Sequence, residues 1–477
     1  MKNLLIPAFL FAALSLLTGC SDSEPQPYGA LPTAQQVEWQ RMEINMFCHF
    51  GPNTFSGKEW GDGTEAESLF NPTALDCRQW VDVAEQAGMK GIIITAKHHD
   101  GFCLWPSAFS SHTVAQSSWR GGKGDVLREL RDACRGRVKM GVYLSPWDRN
   151  DPTYGTPEYN ARFAATLREV HSTYGPLFEQ WFDGANGEGP NGRKQDYDWP
   201  LFNSTVLGIS PLAVIFSDVG PGCRWVGNEE GRAGETCWST LDTEAGAPGT
   251  GVPSPDILNQ GQRHGRHWVP AAADVSIRPS WFYHPDEHPK SVDELMEIYY
   301  NTVGRNALLL LNVPPTPSGR IASEDSLRLV EFRRERERIF SRDLAQGASF
   351  ADIYLYKGKS TKYSSDNLLD TNYYTFWIQD TTSTENIWIS IALPEKRTFD
   401  LVMLQEYIPL GQRVTRFHVT AFNDDIQDWE TIAEGTTVGY KRIVRLDKPV
   451  TASHLHLYID SALAPPILNR FALFSTR

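Results

Sequence analysis

Short apolar runs alternate with longer amphipathic stretches between about residues 35 and 345 of the chain. The runs that predict buried strands are Asn45–Gly51, Gly91–Ala96, Val138–Leu144, Phe178–Phe182, Ala213–Ser217 and Ala307–Val313. The stretches that predict intervening helices are Cys77–Ala87, Lys123–Arg135 and Pro157–Tyr174. A continuous apolar run is typical of a parallel strand that is buried on both faces. The alternation therefore predicts an α/β fold.

A closed (β/α)8 barrel fits this segment better than an open sheet, because about 300 residues with six clear strands leave room for eight. A Gly-x-Gly-x-x-Gly turn does not follow the first predicted strand, which argues against a dinucleotide-binding sheet. The charged amphipathic helix predicted over Ser323–Leu344 is expected to close the barrel. Catalytic residues of such barrels lie at the C-terminal ends of the strands.

After this helix the pattern changes to alternating apolar and polar residues, which is typical of strands with one polar face. Ile387–Leu393, Arg416–Phe422 and His454–Ile459 show β-branched or aromatic alternation between turn residues. We therefore predict a catalytic barrel over residues 35–345 and a β-sandwich over residues 346–477.

The sandwich has three possible roles, which are to bind carbohydrate, to brace the barrel or to form part of the active-site rim. Trp377 and Tyr407 are its candidates for carbohydrate binding, and a place in the sandwich core is the favoured alternative for each.

The N-terminus has the features of an export signal. Lys2 precedes the apolar run Leu4–Leu17, which is too short to span about 30 Å of hydrocarbon. The run ends in Leu-Thr-Gly-Cys at Cys20, which resembles a bacterial lipobox. We predict a lipoprotein signal peptide over residues 1–20, a flexible tether over residues 21–34, and an exported protein whose lipid anchor at Cys20 holds it to a membrane, in the periplasm or at the outer-membrane surface. An ordinary cleaved signal is the alternative.

Charge and residue counts limit the classes of partner and the internal bonds that are expected. The 58 acidic residues exceed the 45 basic ones and give a net charge of −13, so nothing attracts the chain to nucleic acid by long-range charge. Six cysteines remain after Cys20, which permits disulfides but does not require them in a chain of this size. None stands in CxxC spacing, and mostly buried thiols are expected. The 15 Trp, 17 Tyr and 23 Phe suit a site that stacks on sugar rings.

Four polar motifs follow predicted barrel strands, where chemistry is expected. They are Cys48–Gly51, Lys97–Phe102, Trp181–Gly187 and Trp225–Glu229. Asp183 ends a hydrophobic strand, and a carboxylate there is costly unless it is paired or used. A glycosidase needs two carboxyl groups, one ionised at the anomeric carbon and one protonated to release the leaving oxygen.

These motifs, together with Leu310–Pro315, resemble the α-L-fucosidases of glycoside hydrolase family 29 over the whole predicted barrel. The residues around Asp183 and Glu229 are similar to those of the subgroup that cleaves α-1,3/1,4-linked fucose from branched Lewis-type glycans. The resemblance implies an exo-acting, retaining α-L-fucosidase that acts on a fucosylated oligosaccharide through a covalent fucosyl-enzyme intermediate. A C-terminal β-sandwich is also usual in that family.

The resemblance implies the site residues by position. Asp183 is the nucleophile and Glu229 the general acid/base, with Glu230, which directly follows it, as the alternative acid. The residues implied to bind the sugar are His49, Trp60, His98, His99, Tyr143, Trp181, Arg224 and Trp281.

Several alternatives stay open. Trp60 and Trp281 have core filling as their other interpretation. His98 and His99 have no third residue at ligand spacing, so neither a metal nor another cofactor is expected. The rival functions are a non-catalytic surface lipoprotein that binds fucosylated glycans and a glycosidase that acts on another terminal sugar.

Overall fold

The computed structural model describes residues 24–249, 254–351, 361–379 and 383–477. The predicted signal peptide and its lipidation site Cys20 lie outside these residues. Within the described residues, no helix combines the length and the apolar character that crossing a bilayer requires.

Eight parallel strands form a closed barrel, as the alternating pattern predicted. Around the barrel the order is β1-β10-β9-β6-β5-β4-β3-β2. Six of the strands are β1 (Ile44–Cys48), β2 (Gly91–Lys97), β3 (Lys139–Leu144), β4 (Glu179–Trp181), β5 (Val214–Ser217) and β10 (Ala307–Asn312). The other two, β6 (Cys223–Trp225) and β9 (Ala271–Ser276), were not predicted from the sequence. A separate ribbon pairs β7 (Thr240–Leu241) with β8 (His267–Trp268).

Helices surround the barrel, and several of them begin after a residue whose side chain caps the first turn. They are α1 (Ala34–Met42), α2 (Pro52–Ser56), α3 (Cys77–Gln86), α4 (Val126–Cys134), α5 (Pro157–Tyr174), α6 (Trp199–Ile209), α7 (Pro255–Gln260), α8 (Val292–Asn301) and α9 (Ser323–Phe340). Asp76, Asp125 and Asp198 accept hydrogen bonds from first-turn amides of α3, α4 and α6. Each carboxylate thereby satisfies a backbone N–H that has no partner inside its helix. The closing helix α9 packs against α3 and α8, as expected.

Aromatic side chains fill the barrel interior and support the site above them. Trp181 stacks on Phe216 with ring centroids 4.1 Å apart, and Tyr143 lies 5.1 Å from Trp181 on the other side. Below this layer, α1 closes the barrel, where the Trp39 indole donates a 2.7 Å hydrogen bond to Glu179. Burial raises the pKa of Glu179 to about 8. The interior is a packed core rather than a pore, and the functional site of such a barrel is expected at the C-terminal end of its strands.

The C-terminal domain is an antiparallel β-structure with its own apolar core, in agreement with the predicted sandwich. Its strands are β11 (Ser349–Ala351), β12 (Trp377–Ile378), β13 (Glu385–Glu406), β14 (Val414–Asn423), β15 (Asp428–Gly435), β16 (Arg442–Ala462) and β17 (Ile467–Phe474). Their order is β12-β17-β13-β16-β14-β15, with β11 paired to β13. Trp377 is fully buried, and Tyr407 packs 4.5 Å from Phe376, so neither presents an open sugar-binding face.

Six cysteines lie in the described residues, and all six are buried thiols that form no disulfide there. The prediction of mostly buried thiols is confirmed. Burial raises the pKa of each of them, so they are unreactive at neutral pH.

Candidate active site

A cavity of about 290 Å³ lies at the C-terminal end of the barrel strands. It brings together nine of the ten residues that the sequence assigned to catalysis or sugar binding. They are His49, Trp60, His98, His99, Tyr143, Trp181, Asp183, Glu229 and Trp281. Three of the strand-end motifs thus meet with the Trp225–Glu229 loop at one opening, since parallel barrel strands deliver their C-terminal loops to the same face.

Asp183 lies two residues beyond β4, and its side chain is 26% exposed to the cavity. The Tyr143 hydroxyl donates a 3.0 Å hydrogen bond to Oδ2, and the Ala185 amide donates a 2.7 Å bond to Oδ1. His99 Nε2 lies 3.7 Å from Oδ2. Burial raises the pKa of Asp183, while the bonds from Ala185 and Tyr143 oppose that rise. The carboxylate is therefore oriented by donors on both of its oxygens, as a nucleophile requires.

Three histidines line the wall next to Asp183. His49 Nδ1 is 2.9 Å from Asn312 Oδ1, and His99 Nδ1 is 2.7 Å from Ser145 Oγ. Burial lowers the pKa of both rings to about 3, and it also lowers the pKa of His98. All three rings are therefore neutral near pH 7. A neutral imidazole with one nitrogen fixed offers the other nitrogen to a sugar hydroxyl.

Glu229 reaches the same cavity from the loop after β6. Its side chain is exposed, and Trp281 Nε1 donates a 3.1 Å hydrogen bond to Oε2. Within the described part of the chain, Glu230 does not line the cavity, and its amide bonds to Asn228. Glu235 is paired instead with Arg442 at 2.6 Å. Of the acids in this loop, Glu229 is the one that lines the cavity among the residues described.

The C-terminal domain holds the loop that carries Glu229. Arg442 binds both the carboxylate and the backbone carbonyl of Glu235. Thr437 Oγ1 accepts a 2.8 Å hydrogen bond from the Cys237 amide, and Gln412 accepts one of 2.7 Å from the Ser239 amide. Thr436 and Thr236 hydroxyls are 2.8 Å apart. This set of contacts braces the loop, which agrees with the second of the roles considered for the domain.

Aromatic rings form the walls of the cavity. Trp60 is 59% exposed, which rejects the core interpretation for this residue, and its ring lies 5.6 Å from His99. Trp281 is half-buried with its ring 5.0 Å from His49. Glu59 ties the two tryptophan loops together, because it accepts a 2.8 Å hydrogen bond from the Trp281 amide. The walls therefore offer apolar faces to the C–H patches of a sugar.

Arg224 is a correction to the predicted set, since it does not line the cavity in the part of the chain described here. Its side chain is fully buried, Nε donates a 2.8 Å hydrogen bond to the Leu258 carbonyl, and Nη1 binds the Val269 carbonyl. Successive side chains of a strand point to opposite faces. Trp225 faces the cavity, so its neighbour Arg224 faces outward and fastens α7 and the segment after β8 to the barrel.

The cavity also contains residues that the sequence analysis did not assign to catalysis or sugar binding. They are Phe47, Glu59, Gly184, Ala185, Phe216, Asp218, Trp225 and Asp274. Asp218 lies against Gly184, where an added Cβ would stand 2.2 Å from Asp218 Oδ2. A side chain at position 184 would therefore require Asp218 to move. Asp274 had a signal in the sequence, because it is a charged residue within the small apolar run Ala271–Ser276.

The fold and the site together define a class of protein. The barrel is closed and parallel, and one cavity at its C-terminal face contains two carboxyl groups, neutral hydrogen-bonding groups and aromatic walls. These are the features of a glycoside hydrolase. Sequence comparison then gives the family. The family model described as Alpha-L-fucosidase matches residues 27–333, and that of the F5/8 type C domain matches residues 354–472. The chain belongs to the α-L-fucosidase family and is an α-L-fucosidase glycoside hydrolase.

Relatives match along nearly the whole chain. Alpha-L-fucosidase 1 of Arabidopsis thaliana is 40% identical over 474 residues, covering 98% of this chain and 92% of the relative. The crystal structure of SpGH29 has a TM-score of 0.89 at 38% identity, covering 95% of this chain and 100% of that one. A Ruminococcus gnavus GH29 fucosidase in complex with fucose has a TM-score of 0.86 at 30% identity, covering 96% and 97%.

Proposed function

We propose that this α-L-fucosidase is exo-acting and retaining, and that it releases terminal α-1,3/1,4-linked L-fucose from branched Lewis-type oligosaccharides. Asp183 is the nucleophile and Glu229 the general acid/base. One observation carries the proposal: both carboxyl groups line the same cavity, each held by a donor from another element, Tyr143 for Asp183 and Trp281 for Glu229.

The proposed reaction has two displacements. One oxygen of Asp183 attacks the anomeric carbon, the glycosidic C–O bond breaks, and Glu229 gives its proton to the departing oxygen. Glu229 then takes a proton from water as that water attacks the fucosyl-enzyme, which restores the α configuration and frees Asp183. Tyr143 and the Ala185 amide keep the attacking carboxylate oriented during both steps.

The size of the cavity supports exo action. Its volume of about 290 Å³ is at the lower end of ligand pockets, which typically run from about 300 to 1,000 Å³. One terminal sugar ring suits this space better than an internal segment of a glycan. Exposed Trp60 and Glu229 lie where the remainder of the glycan would contact the rim.

Linkage preference is tested by comparing a fucosylated Lewis-type trisaccharide with a simple aryl α-L-fucoside. We expect kcat/KM to be about 100-fold higher for the trisaccharide, because rim contacts with the branch would contribute ~2.7 kcal/mol in the transition state. The matched control is the fucosylated disaccharide that lacks the galactose branch. A higher kcat/KM for the aryl fucoside would reject the proposed specificity, and proton NMR showing β-fucose as the first product would reject retention.

We further propose that lipidation of Cys20 attaches the enzyme to a membrane, on the strength of the Leu-Thr-Gly-Cys motif. Cells expressing the full chain with labelled palmitate should incorporate label into the wild type and not into Cys20→Ala. Label in both proteins, or in neither, would contradict this proposal. The enzyme activity of the two proteins should be equal, since the motif is separate from the barrel.

A further inference from the structure

Asp274 is an acid in the wall of the cavity to which neither proposed catalytic role applies. It lies in the middle of β9, with Leu310 of β10 as its neighbour in the sheet. The residue lines the cavity but is only 4% exposed. Its Oδ1 atom is buried and has no hydrogen-bond partner among the described residues.

The surroundings of Asp274 oppose a negative charge. Burial raises the pKa of Asp274 well above its ordinary value, and the charges of Glu229 and Asp183 act in the same direction. Contacts with its own backbone and with the Trp225 side chain oppose this rise. Asp183 differs because donors bind both of its oxygens. Burial raises the pKa of both acids, but the donors on Asp183 favour its ionised form, whereas Oδ1 of Asp274 has no donor among the described residues.

We propose that Asp274 is a carboxylic acid that keeps its proton in the resting enzyme and binds fucose as a neutral hydrogen-bonding group. This inference rests on the proposed active site and is independent of linkage specificity. Fucose carries no charge, so a neutral acid can give a hydrogen bond to a ring hydroxyl and accept another. An ionised Asp274 would instead oppose the ionisation of Asp183, which must be anionic to attack.

Binding of free L-fucose to the purified full-length protein at pH 7 tests the proposal, measured by calorimetry. Asparagine is neutral and similar in shape, so Asp274→Asn should keep the dissociation constant within about 3-fold of wild type. Leucine removes the polar atoms, so Asp274→Leu should weaken binding about tenfold, as expected for one lost hydrogen bond. Circular dichroism shows whether each variant is folded, and Asp274→Asn alone still tests the charge if the leucine variant does not fold.

Infrared difference spectra report protonation directly. The wild-type minus Asp274→Asn spectrum at pH 7 should contain the carbonyl band of a protonated carboxyl group. Glu179→Gln is the matched control, because it removes another buried acid of the barrel. The pKa of Glu179 is raised to about 8, and its side chain does not line the cavity in the described residues. Glu179→Gln should leave fucose affinity unchanged.

Three results would overturn the inference. They are an absent carboxylic-acid band, equal weakening by asparagine and leucine, or unchanged binding in both variants. Failure of the proposed catalytic mechanism would be seen separately. In that case Asp183 and Glu229 variants would still hydrolyse fucosides, whereas fucose binding requires no turnover.

Discussion

Asp183→Asn is expected to lower kcat by at least about 10⁴-fold on any α-L-fucoside, because the amide cannot form the covalent bond to the anomeric carbon. The measurement is initial-rate hydrolysis, with thermal unfolding as the control for folding.

The same variant also has a predicted effect on stability. Since the pKa of Asp183 is raised in the folded protein, the unfolded chain releases this proton first as pH increases above about 4. The protonated carboxyl group of Asp183 therefore stabilises the folded protein at low pH, and this stabilisation is lost at neutral pH. Asp183→Asn has no carboxyl group to ionise, so at neutral pH it should unfold at a temperature equal to or higher than that of the wild type.

Chemical rescue separates a missing nucleophile from a damaged site. Asp183→Gly leaves room beside Tyr143, so azide should attack in place of the carboxylate and give the fucosyl azide of opposite anomeric configuration. Hydrolysis by Asp183→Asn within about tenfold of wild type would contradict the assignment. Failure of rescue with both an aryl fucoside and a Lewis-type substrate would weaken it.

Glu229→Gln is expected to lower kcat about 10²- to 10⁴-fold on natural oligosaccharides, whose leaving oxygen needs a proton. The loss should be smaller on an activated aryl fucoside, because its leaving group departs without protonation. Glu230→Gln is the matched control. It changes the adjacent acid, which does not line the cavity in the described residues, and should keep kcat within about 2-fold of wild type.

The outcome of this pair tests the choice between the two neighbouring acids. A larger loss in Glu230→Gln than in Glu229→Gln would transfer the acid/base role to Glu230. Azide added to Glu229→Ala should restore turnover by attacking the fucosyl-enzyme, and the product should have the same anomeric configuration as the substrate.

Barrel strands with bulky apolar residues were predictable from the sequence, and two strands were not. β6 is three residues long with an arginine at its centre, while β9 is rich in alanine and contains Asp274. Neither shows the branched apolar run that identifies a buried parallel strand. Their pairing is set by barrel closure, which is a property of the tertiary structure.

The candidate site followed from the strand-end motifs, and its errors have structural causes. Arg224 was assigned to the cavity by the family resemblance, but strand alternation directs its side chain away. Asp218 was missed because its surroundings come from chain segments distant in sequence, and Asp274 was missed although it is a charged residue within an apolar run. The burial that alters their pKa values depends on how those segments meet, and a local sequence pattern contains no record of it.

The C-terminal domain could be placed in the sequence, but its connection to the site could not. Isolated residues such as Thr437 and Arg442 carry no motif, yet they hold the backbone of the loop that presents Glu229. Hydrogen bonds to backbone groups place few demands on residue identity beyond a donor or an acceptor. The hydrogen bonds join the C-terminal domain to the loop that carries Glu229.

Trapping the fucosyl-enzyme tests the central claim most directly. A 2-deoxy-2-fluoro-fucosyl fluoride slows the second displacement and should leave one fluorofucosyl group attached to the wild-type protein. Peptide mapping by mass spectrometry is expected to locate that group on the Asp183 side chain, with no label in Asp183→Asn. Label on Glu229 or on another carboxylate, or turnover with no covalent adduct and with inverted product, would contradict the account.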